Sequence, residues 1–288
     1  MKVFITYSDE KFNKQRDFAV FMAKHFGKFD KSIGYKPEDI DKEFYEQNKE
    51  ILSQPKGGGY WLWKPYFIYK TLKNLNDGDY LFYADAGSFF LKDINILIDE
   101  LEKSHQDVIG FELPLIESQW TKRELFITMN CDNELYRESN HIMGSFHLIK
   151  KSNQSLKFYK EYLELCSNTN NITDILDSSI QQNKDFLDHR QDQSIFSLLY
   201  KKYKLKPFKD PSQRGDYPLS YGGSLEYNLI PNKIYVLKNF RKYRYYNYAT
   251  NYKRIIYHYR RGNPVYRYFI FIIKEILYKL KIYKKLIS

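Results

Sequence analysis

The stretch DYLFYADAGSFF, at residues 79–90, carries the strongest fold signal in the sequence. Its apolar run at 80–83 follows the turn residues Asn76, Asp77 and Gly78 and ends in Ala84-Asp85-Ala86-Gly87, which reads as a buried strand. Asp85 and Gly87 are thereby delivered at the strand's carboxyl end, where open α/β sheets bind ligands. Working outward, KVFITY at 2–7 reads as a first strand, and Asp9 caps a helix whose Phe12, Phe18, Phe21, Met22 and Phe26 roughly follow a helical period. Residues 29–35 suit a second strand, and 37–52 and 61–75 suit helices, the latter entered through Pro65. Further helices are predicted over 93–103, 156–166 and 191–203, with strands over 107–111 and 142–149. The polar run 167–178 reads as a mobile loop, and 207–223 carries no regular signal. Strand and helix alternate, so the expected fold class is α/β, a mixed, mostly parallel sheet with helices on both faces.

Upstream lies GGGYWLWKP at 57–65. Three glycines let backbone approach a ligand closely, and Trp61, Trp63 and Lys64 set flat apolar surfaces beside a cation. That combination suits a nucleoside diphosphate. Two tryptophans two residues apart at a helix start point to different sides, so they cannot share one stacking surface. A glycine loop feeding an aromatic core helix explains the same residues.

A Gly-Tyr-Trp-x-Trp-Lys-Pro segment, a helix and a Tyr-x-Asp-Ala-Gly strand end, followed by MGSFHLIKK at 143–151 and DHRQDQSIFSLL at 188–199, resembles bacterial glycosyltransferases that build capsules and lipopolysaccharide side chains. The resemblance covers roughly the first 200 residues in order. It implies the GT-A fold, a Rossmann-like nucleotide-sugar-binding domain, a nucleotide-sugar donor and transfer of one sugar (a hexosyltransferase-like activity) to a glycan or lipid-linked acceptor. It also implies Thr6 and Tyr7, at the end of the first strand, as base or ribose contacts, and Gly144 and Ser145 as backbone close to the donor sugar. Lys64 is then a candidate phosphate contact.

Such enzymes usually hold Mn2+ or Mg2+ with an Asp-x-Asp pair, to neutralise the departing diphosphate. Here the triplet is Asp85-Ala86-Gly87, without a second carboxylate. Asp85 can bind metal, bind it through water, hold the ribose, or merely cap a turn. His258 sits late in the chain, where many GT-A enzymes have a further metal ligand; an exposed histidine in a basic tail is the plainer reading. Lys64, Arg254, Arg260 or Arg261 could steady the phosphates without metal. Asp188, His189, Arg190 and Asp192 crowd a helix entrance, marking an acceptor side, with Asp192 the catalytic carboxylate; capping and i to i+4 pairing explain the two aspartates equally well. His141 and His147 read as core histidines.

Composition divides the chain. From 231 to 288 there are 15 Lys and Arg against one acid, Glu275, a net +14 that leaves residues 1–230 at −3 against the overall +11. The expected organisation is a catalytic domain over 1–230 and a basic, Tyr-rich segment over 231–288 carrying an amphipathic helix at about 264–286. Arg267, Lys274, Lys281 and Lys285 line that helix against a wide apolar face, which suits an anionic membrane surface or an oligomer interface better than nucleic acid. The longest apolar run, 268–273, is far below the roughly 20 residues of a spanning helix. Cys131 and Cys166 read as two buried thiols, and MKVFITYSDEK lacks the pattern of a signal peptide. The expected location is cytoplasmic, peripheral at the inner face of the membrane. Two rival readings are a binding module without catalysis, for nucleic acid or membrane, and a nucleotidyl- or phosphosugar transferase.

Overall fold

The structure, a computed structural model, describes residues 1–216, 252–259 and 262–279. Its centre is a five-stranded sheet ordered β2-β1-β3-β8-β5, made of β1 (Lys2–Tyr7), β2 (Lys31–Tyr35), β3 (Tyr80–Ala84), β5 (Val108–Ile109) and β8 (Phe146–Lys150). β1 is parallel to β2 and β3, whereas β8 is antiparallel to both β3 and β5. Four strands therefore point one way and β8 alone opposes them, which is the mixed, mostly parallel sheet expected.

Side-chain alternation along β1 and β3 builds two cores. Val3, Ile5, Leu81 and Tyr83 face α2 (Trp63–Lys73), α4 (Asn153–Cys166) and α5 (Gln191–Lys202). Phe4, Phe82 and Ala84 face α1 (Asn13–His25) and α3 (Asn95–Ser104). Helices thus cover both faces.

Sequence expectations that differ have local causes. The helix expected over 37–52 is three short pieces, Pro37–Asp39, Lys42–Gln47 and Lys49–Leu52. The strand expected over 142–149 is interrupted: β7 (Asn140–Ile142) pairs with β6 (Phe111–Ile116) and β8 with β3, so 143–145 crosses between sheets. The run 167–178 contains the helical turn Thr169–Ile172, anchored by buried Asn171 and Ile172. Within 207–223, β9 (Phe208–Lys209) joins β6 in parallel and Gln213–Asp216 is helical. Both cysteines are buried free thiols.

The boundary expected at 230 lies outside the described residues. Beyond it, β10 (Ile256–His258) pairs antiparallel with β4 (Ser88–Phe90), and Ile255 and Ile256 are fully buried beside Phe90. This part of the basic segment is core: β4 and β10 form a separate two-stranded sheet next to the Asp85 turn, and Tyr252, Ile255 and Ile256 are buried in the same cluster as Phe90. α6 (Pro264–Lys279) packs Tyr268 against Phe18, Phe26 and Phe89, buries Phe271 against Tyr257, and pairs Glu275 with Arg254 at 3.1 Å. The expected helix residues 280–286, with Lys281 and Lys285, lie outside the described residues, as do Arg260 and Arg261.

Candidate functional site

A cleft of about 590 Å³ opens at the carboxyl ends of β1 and β3, lined among others by Tyr7, Trp61, Lys64, Asp85, Ser145 and Asp192. Its floor is set by the glycine segment. From Gly57 to Trp61 all five residues have positive φ, at 61°, 59°, 94°, 50° and 62°. Glycine is required at Gly59, where a Cβ would lie 2.7 Å from the Leu52 Cα. Tyr60 and Trp61 occupy this region without being glycine, at a cost of about 1–2 kcal/mol each. The turn places Trp61 on the cleft wall and sends Trp63 inward, stacked on Tyr7 at 4.0 Å with its Nε1–H donated to the Gly57 carbonyl at 2.9 Å.

β3 carries Asp85 out of the sheet. Its backbone N–H bonds the Ser145 carbonyl at 3.0 Å, extending the β3–β8 ladder, so the two sequence motifs meet. The Tyr83 hydroxyl donates to Asp85 Oδ1 at 2.5 Å. From α2, the Lys64 ammonium reaches Asp192 Oδ2 at 2.6 Å and lies 3.8 Å from Asp85 Oδ1. It also sits 5.9 Å from the Trp63 ring and 5.6 Å from the Tyr83 ring. The Lys64 and Asp192 side chains are only 4 % and 5 % exposed, against 32 % for Asp85. Tyr162 of α4 donates a further bond to Asp192 Oδ2 at 3.2 Å.

One ammonium therefore serves two carboxylates. Burial alone would lower the Lys64 pKa, but Asp192 and Asp85 outweigh it and hold the ammonium charged. Burial pushes Asp192 up; Lys64 opposes that, and the Asp85 charge adds to it. Burial, then the Asp85 charge, likewise holds the Tyr83 phenol protonated.

The remaining expected residues divide. Gly87 and Ser145 line the cleft; Gly144 lies behind it, its N–H bonded to Gln193 Oε1 at 3.0 Å. β10 sets His258 opposite Ser88, and both His258 and Asp85 line the cleft. Its main chain is clamped by Gln213, through bonds of 2.6 and 2.9 Å. The reading of His258 as an exposed tail histidine is therefore corrected: its strand pairing buries it at 8 % exposure. Arg190 lines the cleft, stacked 4.3 Å over Trp120, with Asp188 3.9 Å away and outside the wall. His189 is turned into the core, bonded to the Asn171 carbonyl at 2.9 Å, and burial first of all lowers its pKa to about 3. Thr6 is also buried and off the wall, because β1 alternation puts it on the same face as Phe4, toward α1, while Tyr7 reaches the cleft. His147 is a core histidine, as expected, held by Tyr159 at 2.9 Å.

Sequence reasoning missed Tyr162, Gln193 and Ser8, all at or behind the wall. Tyr162 looks like any aromatic on the buried side of a helix. Gln193 is pinned through His141 (3.1 Å) to the buried Glu117 (3.2 Å), a chain that joins elements 117, 141 and 193 and leaves no local pattern.

No group of three or more His, Cys, Asp or Glu side chains assembles as a metal site among the described residues. The space between Asp85 and Asp192 is filled by the Lys64 ammonium, so these carboxylates do not fit as the ligand pair of a divalent ion.

No protein-family model matches the chain, and no curated protein matches it in sequence. Among solved structures, mouse xyloside xylosyltransferase 1 is similar at 11% identity with a TM-score of 0.49, covering 92% of this chain and 99% of its own. The glycosyltransferase GlyE of Streptococcus pneumoniae is similar at 13% identity and TM-score 0.42, over 91% of this chain and 55% of its own. The galactosyltransferase LgtC, solved with donor and acceptor sugar analogs, is similar at 11% identity and TM-score 0.42, over 91% of this chain and 88% of its own. These structural neighbours are glycosyltransferases. At such scores they bear on neither chemistry nor substrate.

Proposed function

We propose that the protein is a glycosyltransferase of GT-A type that moves a sugar from a nucleoside-diphosphate sugar to a hydroxyl of a bacterial surface glycan, in capsule or lipopolysaccharide assembly. The observation that carries the reading is the Asp85–Lys64–Asp192 cluster in a cleft at the carboxyl ends of β1 and β3. In the transfer, the bond from the sugar C1 to the phosphate oxygen breaks and leaves its electron pair on the nucleoside diphosphate. A bond from C1 to the acceptor oxygen forms, and the acceptor proton departs to a base. Asp85, on the accessible side, faces the donor; Tyr7, Ser145 and Gly87 border the same space. Asp192, fixed by Lys64 and Tyr162, orients the acceptor or steadies positive charge at C1. Arg190 marks the acceptor mouth, with Asp188 behind it.

α6 supports a second element of this proposal, attachment to the inner face of an anionic membrane. Val265, Tyr266, Phe269, Ile273 and Ile276 are exposed and fall on one helical face, with Arg267 and Lys274 beside it. No helix among the described residues is long and apolar enough to cross a membrane.

Thermal shift against a panel of nucleotide sugars tests the donor reading. A rise in melting temperature with one nucleotide family is expected. Pyrophosphate release from a nucleoside triphosphate and a sugar phosphate would favour a nucleotidyltransferase instead.

A further inference from the structure

We propose that the Lys64 ammonium takes the place of a divalent cation between Asp85 and Asp192, so that the protein binds a nucleoside diphosphate without metal. The inference rests on the donor-site reading above and concerns how that site handles charge.

Three observations support it. First, the ammonium is built in: it lies 2.6 Å from Asp192 Oδ2 and 3.8 Å from Asp85 Oδ1, between the Trp63 and Tyr83 rings, on a side chain 4 % exposed. A dication that bridged Asp85 and Asp192 would have to displace a tethered cation buried in the helix–sheet interface, against like-charge repulsion. Second, Asp85 Oδ1 already accepts the Tyr83 hydroxyl, and the next two residues, Ala86 and Gly87, offer no further carboxylate. The Gly87 carbonyl is engaged by the Tyr259 N–H at 2.9 Å. Third, the charges balance without a metal. Among the described residues the cleft lining holds four Lys and Arg (Lys11, Lys64, Arg190, Arg214) against three Asp (Asp9, Asp85, Asp192). With Lys64 neutralising one carboxylate, the wall is net positive toward a diphosphate; without it the sign is lost.

The arrangement also explains why a lysine is buried here at all. An ammonium with two carboxylates and two aromatic faces has replaced its hydration shell, so desolvation is offset.

The test is isothermal titration of the full-length protein with UDP, GDP, CDP and dTDP, each in EDTA and in Mn2+. The expected result is that the nucleotide that binds does so with equal affinity in both, within about threefold, which is under the energy of one charged hydrogen bond. Lys64→Met should weaken that binding in EDTA by about tenfold or more, with part of the loss recovered in Mn2+. Binding by the wild-type protein that appears only in Mn2+ would overturn the inference and leave the donor reading standing. Lys64→Met binding like wild type in EDTA would do the same. Failure of every nucleotide under both conditions would overturn the donor reading and this inference together. Should Lys64→Met not fold, the wild-type comparison decides alone.

Discussion

Lys64 Nζ lies 2.6 Å from Asp192 Oδ2 although 128 residues separate them, and this pair joins the helix after the glycine turn to the helix that begins within DHRQDQ. Both partners are buried, so removing either strands a charge at a cost of about 3 kcal/mol. Lys64→Met and Asp192→Asn should each lower the unfolding free energy by that order, measured in urea. The double variant should lose less than the sum by about 1 kcal/mol or more, since neither charge is then left unpaired. Strict additivity would show that the pair contributes no coupling.

Glu112 gives the protein a pH dependence of known sign. Burial, opposed only in part by Asn140 and Lys201, pushes its carboxyl up from 4.5 to about 7. Between those values the native state holds a proton that the unfolded chain has released, so stability falls as pH rises through the window. Glu112→Gln should remove the slope. Its stability relative to wild type should grow from near zero at low pH to on the order of 3 kcal/mol above neutrality. The buried histidines His141, at about 4, and His189, at about 3, act in the opposite direction but cancel in the difference. A difference that does not change with pH would contradict the assignment.

The glycine turn separates stability from binding. An added methyl at Gly59 meets Leu52 backbone, whereas at Gly57 it meets the Trp61 ring on the cleft wall. Gly59→Ala should therefore lower melting temperature strongly. Gly57→Ala carries the positive-φ cost of about 1–2 kcal/mol and should chiefly weaken nucleotide binding by moving Trp61. Equal effects of both on both quantities would remove Trp61 from the binding surface.

The helix at 264–279 should show two faces. Tyr268→Ala exposes Phe18 and Phe89 and should destabilise the protein by about 3 kcal/mol. Phe269→Asp with Ile273→Asp, on the exposed side, should leave stability nearly unchanged and abolish flotation with anionic vesicles. Truncation before this helix uncovers core aromatics, so point variants are the cleaner test. Unchanged vesicle binding by the double variant would refute membrane attachment through this face.

Much of this was legible locally. β1, β2, β3, α4 and α5 follow from apolar runs and caps, because their burial is periodic in sequence. The Asp85 strand end and the Lys64 helix entrance were visible as motifs. Their meeting with Asp192 was not, because a contact across 128 residues has no periodicity. Charge counting also drew the segment after 230 as an appendage. The counted lysines and arginines are real, but Ile255, Ile256 and His258 between them are buried at the two-stranded β4–β10 sheet beside Asp85. The inward turn of His189 depends on the Asn171 carbonyl, contributed by a loop that looked featureless.

The most direct test is nucleoside diphosphate release from a panel of nucleotide sugars with a glycan acceptor, comparing wild type with Asp85→Asn. The substitution keeps an acceptor for the Tyr83 hydroxyl, so the melting temperature should move little. Wild type should consume one donor family, and the variant's turnover should fall by about a hundredfold or more. Full activity in Asp85→Asn, or no release from any donor by the wild-type protein, would contradict the proposed function.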